Sequence, residues 1–448
     1  MNRFLVRRIL LPLHETLRGR ATFRFLKAFR ATERLSPAEA ATGRDAAIAR
    51  IVAHAVREAP YFRDVFAARG LDAMAVRGAA DLPLLPVMTK ALIREQKTRL
   101  IANTMAARVF TLATGGSSGE PLVFWTDKDR EASQLAAKLR AREWWGIRPG
   151  DRQADLWGSP IEIGAQDRLR VFKDRLLNLT LLSAFELSDE KMAGFRARLE
   201  RFRPDFLYGY ASVLGRYAAF LERRGESLAH LGLKGAVTTA ETLFPDQRAS
   251  IRRALGCAAI NEYGCRDGGF IAQECPEGRL HVASDTVHVE LLDGERPVPL
   301  GEVGEVAVTN LWSFGMPLIR YKIGDRARYS AEPCPCGRSL PVLAAVEGRV
   351  TDTLLSPDGN RVHGLAAMYV LRVLPGVTAY QVIQETRALV RTAIVPSPDA
   401  DRAALALAVK AGLAKILGAG VTIEVAFVDR IAPTPSGKLR AIVCNVKE

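Results

Sequence analysis

The feature that most limits what this chain can fold into is an alternation. Short β-type runs, "LKGAVTT" and "AAINEYG", lie between helix patterns, and "VHVELL" and "GEVAVTNL" follow. The helix patterns carry their own end signals. In "SPAEAATGRDAAIARIVAHAVREAP", Ser36 is placed to cap, Pro37 suits the first turn and Glu39 completes a capping box. Ile48, Ile51, Val52 and Ala55 then recur at helical spacing until Pro60. Further helices are predicted from about Asp129 to Trp145, from Ser188 to Phe202 before Pro204, and from Pro245 to Leu255 before Gly256. Gly301 and Gly304 flank a turn in a later part that reads as more purely β. Strands alternating with helices predict an α/β fold with substantial parallel sheet.

After "VEGRVTD" the pattern restarts on a smaller scale. "TAYQVIQ", "LVRTAIV", a helix from about Asp401 to Leu417 and "VTIEVAFV" form a β-β-α-β unit. The boundary falls near Gly348 to Asp352, which divides the chain into residues 1–347 and 348–448, a large α/β domain with mixed sheets and a small α+β domain.

The formal net charge of +14 favours anionic partners. No long Lys/Arg block or aromatic-basic module supports nucleic acid. The basic start "MNRFLVRRILLPLHETLRGR" does not read as a secretory signal. Its apolar run, Ile9 to Leu13, is short, His14 and Glu15 follow it, and no small-residue cleavage site comes after. No apolar stretch reaches transmembrane length. The start reads as a docking helix, with peripheral contact to a membrane surface left open.

"TLATGGSSGEP", Thr111 to Pro121, carries the first chemical signal. Gly115, Gly116 and Gly119 let backbone approach a ligand, and successive N–H groups in such a turn make an anion-binding concavity. Thr114, Ser117 and Ser118 add hydroxyls. No Gly-Lys-Ser/Thr follows, so this is not the usual nucleotide P-loop. Four more segments follow in order: "NEYGCRDGG" with Tyr263 and Asp267, "RYKIGDRA" with Asp325, "EGRVTD" with Arg349 and Asp352, and "PTPSGKLR" with Lys438.

Taken in this order, these segments resemble the adenylate-forming superfamily of acyl-CoA synthetases. "TGGSSGEP" is similar to its phosphate loop, "EYGCRD" to Tyr-Gly-x-Thr-Glu, "YKIGD" to Tyr-x-Thr-Gly-Asp and "PTPSGKLR" to its terminal Ser-Gly-Lys segment. "RFRPDFLYGYASVL", "VTTAETL" and "QECPEGRLHV" look most like the phenylacetate–CoA ligase branch, including relatives from capsule-polysaccharide loci. Glu120 stands where the superfamily often has Lys, and Asp267 where Glu is usual.

The resemblance implies an AMP-forming acid–CoA ligase that uses ATP, Mg²⁺ and CoA on a small acid, aryl or related, in the cytoplasm. It implies that Thr114 to Gly119 cradle phosphates, Asp267 helps bind Mg²⁺ and Asp325 takes the ribose hydroxyls. Tyr263 and the segment ending at Glu241 would line the adenine and acyl sites, with Arg349 also toward ATP. Lys438 would bridge the α-phosphate and carboxylate oxygens, and Asp352 would be the hinge of a mobile C-terminal domain. Transfer to a hydroxyl or amine acceptor instead of CoA stays open, as does a homodimer. Phe110, Trp125, Trp157, Tyr208 and Phe270 either shape an aromatic pocket or fill the core, and Tyr208 and Tyr210 read as core.

Cys275 and His281 lie in "CPEGRLH", and Cys334 and Cys336 in "CPCG". Three thiolates and an imidazole suit a tetrahedral structural Zn²⁺. The other reading is unrelated reduced thiols and a surface histidine. Cys265 is an alternative ligand.

Overall fold

The computed structural model describes residues 1–114, 122–157, 168–184, 187–347, 354–362, 364–431 and 441–446. Among these, twelve strands form one sheet with two halves of different character. In the first half, Leu179–Ser183, Gln153–Trp157, Phe206–Tyr210, Gly235–Thr239 and Ala259–Cys265 lie side by side and all parallel. In the second, Gly269–Glu274 and the strands beyond it pair antiparallel. Ala259–Cys265 is the junction, parallel to one neighbour and antiparallel to the other.

The parallel half is covered on one face by the helices Asp189–Phe202, Ala211–Arg223 and Pro245–Leu255. "GAVTT" is buried at every position, as expected of a strand with protein on both sides. Elsewhere Lys128–Glu143 packs a stripe of Ala132, Ala136, Ala137 and Ala141 against Phe25, Leu26 and Phe29 of Thr22–Thr32. Alanine leaves room for the phenylalanine rings, so the two helices approach closely. The antiparallel half shares its core with Pro37–Glu58 and Pro60–Ala68. The capping box at Ser36 and Glu39 is formed.

Residues 354–446 hold a separate core around Leu371, Val382, Ile394, Val409 and Leu413. Val377–Thr386, Leu389–Pro396, Arg402–Leu417 and Thr422–Phe427 give the expected β-β-α-β unit. Two elements extend it. The helix Gly364–Arg372 precedes it, and Ile442–Cys444 returns parallel to Val377–Thr386. This unit rests on the large one through Arg361, which pairs with Asp246 at 2.6 Å and lies 4.1 Å above the Phe244 ring. The boundary placed at 348–352 lies outside the described residues.

Candidate active site

Open parallel sheets bind ligands beyond the carboxyl ends of their strands, where neighbouring connections run in opposite directions. Here that point lies between Gln153–Trp157 and Phe206–Tyr210, because the chain passes first to Leu179–Ser183 on one side and later to Phe206–Tyr210 on the other. A cleft of about 1300 Å³ opens there. Trp157 stacks 5.8 Å from Tyr208 and lies 4.2 Å from Tyr210, and these rings form one wall. Tyr208 and Tyr210 are therefore cleft residues, contrary to the core reading. Their strand ends there, so its last side chains face the opening. Phe270 also lines the cleft, whereas Trp125 packs against the core of the antiparallel half.

Three carboxylates meet the cleft with their orientation fixed. Ala240 takes a positive φ of 65° in the turn before Glu241, a strained conformation for a residue with a side chain. Glu241 then accepts from the Ser212 backbone N–H at 2.7 Å and the Ser212 hydroxyl at 3.1 Å, at the start of the helix Ala211–Arg223. The Tyr263 hydroxyl donates to Asp325 Oδ2 at 3.0 Å. The Tyr321 hydroxyl donates to Asp267 Oδ2 at 2.6 Å, with Lys90 Nζ 3.9 Å from the same oxygen. Asp267 sits in the turn between Ala259–Cys265 and Gly269–Glu274, and Arg130 donates to its backbone carbonyl. The ladder slips between Tyr263 and Gly264, and a Cβ on Gly264 would lie 2.4 Å from the Gly269 carbonyl oxygen. Only glycine allows this bulge.

A fourth carboxylate lies deeper. Glu262 Oε1 accepts from Lys138 Nζ at 3.0 Å, the Tyr208 hydroxyl at 3.0 Å and the Thr239 hydroxyl at 3.3 Å. Arg142 approaches Oε2 at 3.8 Å. Burial alone would raise the Glu262 pKa, but Lys138 and Arg142 outweigh it and hold the carboxyl below its ordinary range. Burial would lower Lys138, and Glu262 likewise outweighs it, so the ammonium stays charged. Burial and the nearby carboxylate push Tyr208 up to about 12. Lys138 Nζ sits 5.8 Å from the Tyr208 ring centre and 5.7 Å from that of Phe270, and its open side faces the cleft. The ammonium has three donors, and one is committed to Glu262.

Away from the cleft, Cys275, His281, Cys334 and Cys336 converge, with their ligand atoms within 4.8 Å of one another. The sulfurs of Cys275 and Cys334 are 3.7 Å apart, and Cys336 Sγ is 3.2 Å from His281 Nε2. Sulfurs about 2.3 Å from a tetrahedral Zn²⁺ lie roughly 3.8 Å apart, so the set fits zinc. His281 Nδ1 is 3.0 Å from the Leu340 carbonyl, the backbone contact that orients a histidine ligand. Cys265 is not part of the group. It lies at the end of the strand bearing Tyr263 and accepts from the Gly268 N–H at 3.2 Å.

Residues 354–445 match the CapK C-terminal domain family. Protein CapK of Staphylococcus aureus is 26% identical over 372 residues, covering 82% of this chain and 81% of that protein. A phenylacetate-coenzyme A ligase of Thermus thermophilus is 28% identical over 347 residues, covering 75% and 76%. The crystal structure of 2-hydroxyisobutyryl-CoA ligase with 2-HIB-AMP and CoA, in the thioesterification state, superposes with a TM-score of 0.64. It is 19% identical and covers 92% of this chain and 91% of its own. The chain has the adenylate-forming fold.

Within the adenylate-forming fold, the expected residues Thr114, Glu241, Tyr263, Asp267 and Asp325 come together on the cleft wall. Thr114 continues the strand Phe110–Ala113, and its hydroxyl accepts from the Leu122 N–H at 2.9 Å. Gly115, Gly116, Ser117, Ser118, Gly119, Arg349, Asp352 and Lys438 lie outside the described residues. Sequence reasoning missed Lys138, Glu262, Arg130 and Tyr321. Glu262 stands next to a motif residue, Tyr263, but nothing in "KDREASQLAAKLRARE" distinguishes Lys138 from a solvated lysine. The small unit adds Arg361 and Tyr369 to the cleft rim.

Proposed function

We propose that this chain uses ATP to convert a small carboxylic acid into its acyl-adenylate and then transfers the acyl group to the thiol of CoA. One observation carries the reading. Segments distant in sequence place Thr114, Glu241, Tyr263, Asp267 and Asp325 around a single cleft at the carboxyl ends of the parallel strands. Relatives named phenylacetate-coenzyme A ligase, and a similar structure solved with an acyl-AMP and CoA, support it.

In the first step a carboxylate oxygen attacks the α-phosphorus, the bond to the leaving pyrophosphate breaks, and an acyl-adenylate forms. In the second the CoA thiolate attacks the acyl carbon and AMP departs. Asp325 carries two acceptor oxygens suited to vicinal ribose hydroxyls, and Tyr263 orients it. Thr114 shares a cleft wall with Arg130 and Arg266, and the glycines and serines that follow it in sequence are assigned to the phosphates. Asp267 offers the hard carboxylate oxygen that Mg²⁺ takes beside phosphates, and Mg²⁺ would neutralise their charge there. Lys438 supplies a cation to the charge developing between acid and α-phosphate. Residues 1–347 and 348–448 act as two domains, with Asp352 as hinge and Arg349 beside the nucleotide.

The acid lies against Trp157, Tyr208 and Tyr210. This wall suits an aryl or other flat acid, and the remaining donors of Lys138 suit an oxygen on its tail. A structural Zn²⁺ at Cys275, His281, Cys334 and Cys336 stays apart from the chemistry. Dependence on ATP and CoA supports a cytoplasmic place of action. The test is acid-dependent pyrophosphate exchange followed by thioester formation. Exchange without thioester would move the acceptor to a hydroxyl or amine.

A further inference from the structure

Residues 3–17 form one continuous helix, capped by Asn2, with a wide turn inside it. Arg3–Leu5 and Leu11–Leu17 are α-helical, and Val6–Leu10 is a π turn closed by the Leu11 N–H on the Val6 carbonyl. Pro12 follows at once, and having no N–H it can satisfy no carbonyl of the preceding turn. The π turn changes which side chains align. Residues five apart line up across it, and residues four apart line up in the α-helix that follows. Phe4, Ile9, Leu13 and Leu17 have spacings of five, four and four, so they form one stripe. All four face outward, with exposures of 67%, 52%, 51% and 78%.

The helix is not a loose tail. Its other face is pinned to the body of the protein. Val6 is fully buried, Arg3 pairs with Asp205 at 2.7 Å, and Arg7 pairs with Asp151 at 3.2 Å and donates to the Pro149 carbonyl at 2.8 Å. Gly150 lies so close that a Cβ there would meet the Arg7 backbone nitrogen at 2.8 Å. Buried Glu15 accepts from the Thr22 hydroxyl at 2.6 Å. The fold thus holds four large apolar side chains in water.

Charge identifies what covers them. The first thirty residues contain eight lysines and arginines and one acid, Glu15, which is half of the chain's net +14. Arg8 and Arg18 border the stripe beside Ile9 and Leu17, and Lys27 follows on the next helix. All three are exposed and have no carboxylate partner among the described residues. Apolar side chains flanked by arginines on a surface helix match the interface of an anionic bilayer, where the chains enter the acyl boundary and the cations meet lipid phosphates. A second copy fits poorly, because a two-fold contact would bring two basic ends together.

We infer that this helix docks the protein on an anionic membrane surface through Phe4, Ile9, Leu13 and Leu17, with Arg8 and Arg18 as headgroup contacts. The test is co-sedimentation of the full chain with vesicles of phosphatidylglycerol and phosphatidylcholine, and with phosphatidylcholine alone. Binding is expected on the anionic vesicles, weakened by salt, and at least about tenfold weaker on the neutral ones. Ile9→Glu/Leu13→Glu is expected to abolish it. Arg8→Ser and Arg18→Ser should each weaken it about fivefold. Thermal melting confirms that the variants fold, and Leu17→Gln, at the most exposed position, gives a milder substitution expected to weaken binding several-fold.

Wild-type protein that ignores anionic vesicles, or a double glutamate variant that binds as well as wild type, overturns the inference. So does a dimer in sedimentation velocity that the glutamate variant dissociates, without vesicle binding, since that assigns the stripe to a second copy. None of these readouts needs catalysis, so the proposed ligase activity stands or falls separately.

Discussion

The Tyr263 hydroxyl donates to Asp325 Oδ2 at 3.0 Å across 62 residues of sequence, joining the strand that links the two halves of the sheet to a strand of the antiparallel half. Asp325 is buried, with 7% of its surface exposed, and what remains opens on the cleft. On the proposed role, Asp325→Ala raises the KM for ATP by roughly ten- to hundredfold, since a charge-assisted hydrogen bond is worth about 1.5–3 kcal/mol. The variant stays folded by circular dichroism. Steady-state kinetics in ATP check this, and an unchanged KM would leave Asp325 with a structural role as the partner of Tyr263.

Lys138 and Glu262 form a second long-range pair, and its value to stability is asymmetric. Lys138→Met leaves a buried carboxylate that Tyr208, Thr239 and Arg142 do not fully compensate. Breaking such a pair costs about 3–5 kcal/mol, and the remaining donors place this one near 3. Lys138→Met/Glu262→Gln is expected to recover most of the loss. Urea denaturation of both variants measures the difference. In parallel, Lys138→Met should raise the KM for acids bearing a polar tail more than for plain apolar acids.

Helices and their caps were legible in the sequence because they depend on neighbours. The Ser36–Glu39 box, the stop at Gly256 and the helix Arg402–Leu417 follow from residues within a few positions. Asp267 and Asp325 were legible because each lies in a short motif. Lys138 was not, because its partner is 124 residues away and its helix carries buried Arg130, Arg140 and Arg142 in a sequence that reads as solvated. Tyr208 and Tyr210 looked like core because an apolar strand has the same composition whether its end faces protein or a cleft. The strand Ile442–Cys444 is three residues long, too short for any periodicity.

The burial of His288 predicts a pH dependence of stability with a definite sign. Burial pushes its imidazole from 6.5 down to about 4, and Arg44 acts in the same direction. The unfolded chain therefore binds the proton first on acidification. The contribution to stability is complete above pH 6.5 and is lost as pH falls toward 4. By pH 5 the loss reaches about 2 kcal/mol. His288→Gln should flatten this part of the curve, measured by urea denaturation at pH 7 and pH 5, and an unchanged slope would show that His288 titrates normally.

The Cys275, His281, Cys334 and Cys336 cluster predicts about one zinc per chain in freshly purified, reduced protein. A chelator should lower Tm, because binding energy at a structural site is folding energy. Cys334→Ser should abolish the stoichiometric zinc. Metal analysis that finds none in the wild-type protein contradicts the assignment.

Acid-dependent exchange of labelled pyrophosphate into ATP reports whether the cleft makes an acyl-adenylate. The assay takes purified protein, Mg²⁺ and a panel of aryl, short-chain hydroxy and sugar acids, without CoA. Exchange is expected with at least one acid. Lys438→Ala should reduce it about 10²-fold or more, as for loss of one transition-state donor, while thioester formation from preformed acyl-adenylate and CoA continues near the wild-type rate. Protein that binds ATP but exchanges with no acid in the panel, or exchange that Lys438→Ala leaves intact, would contradict the account.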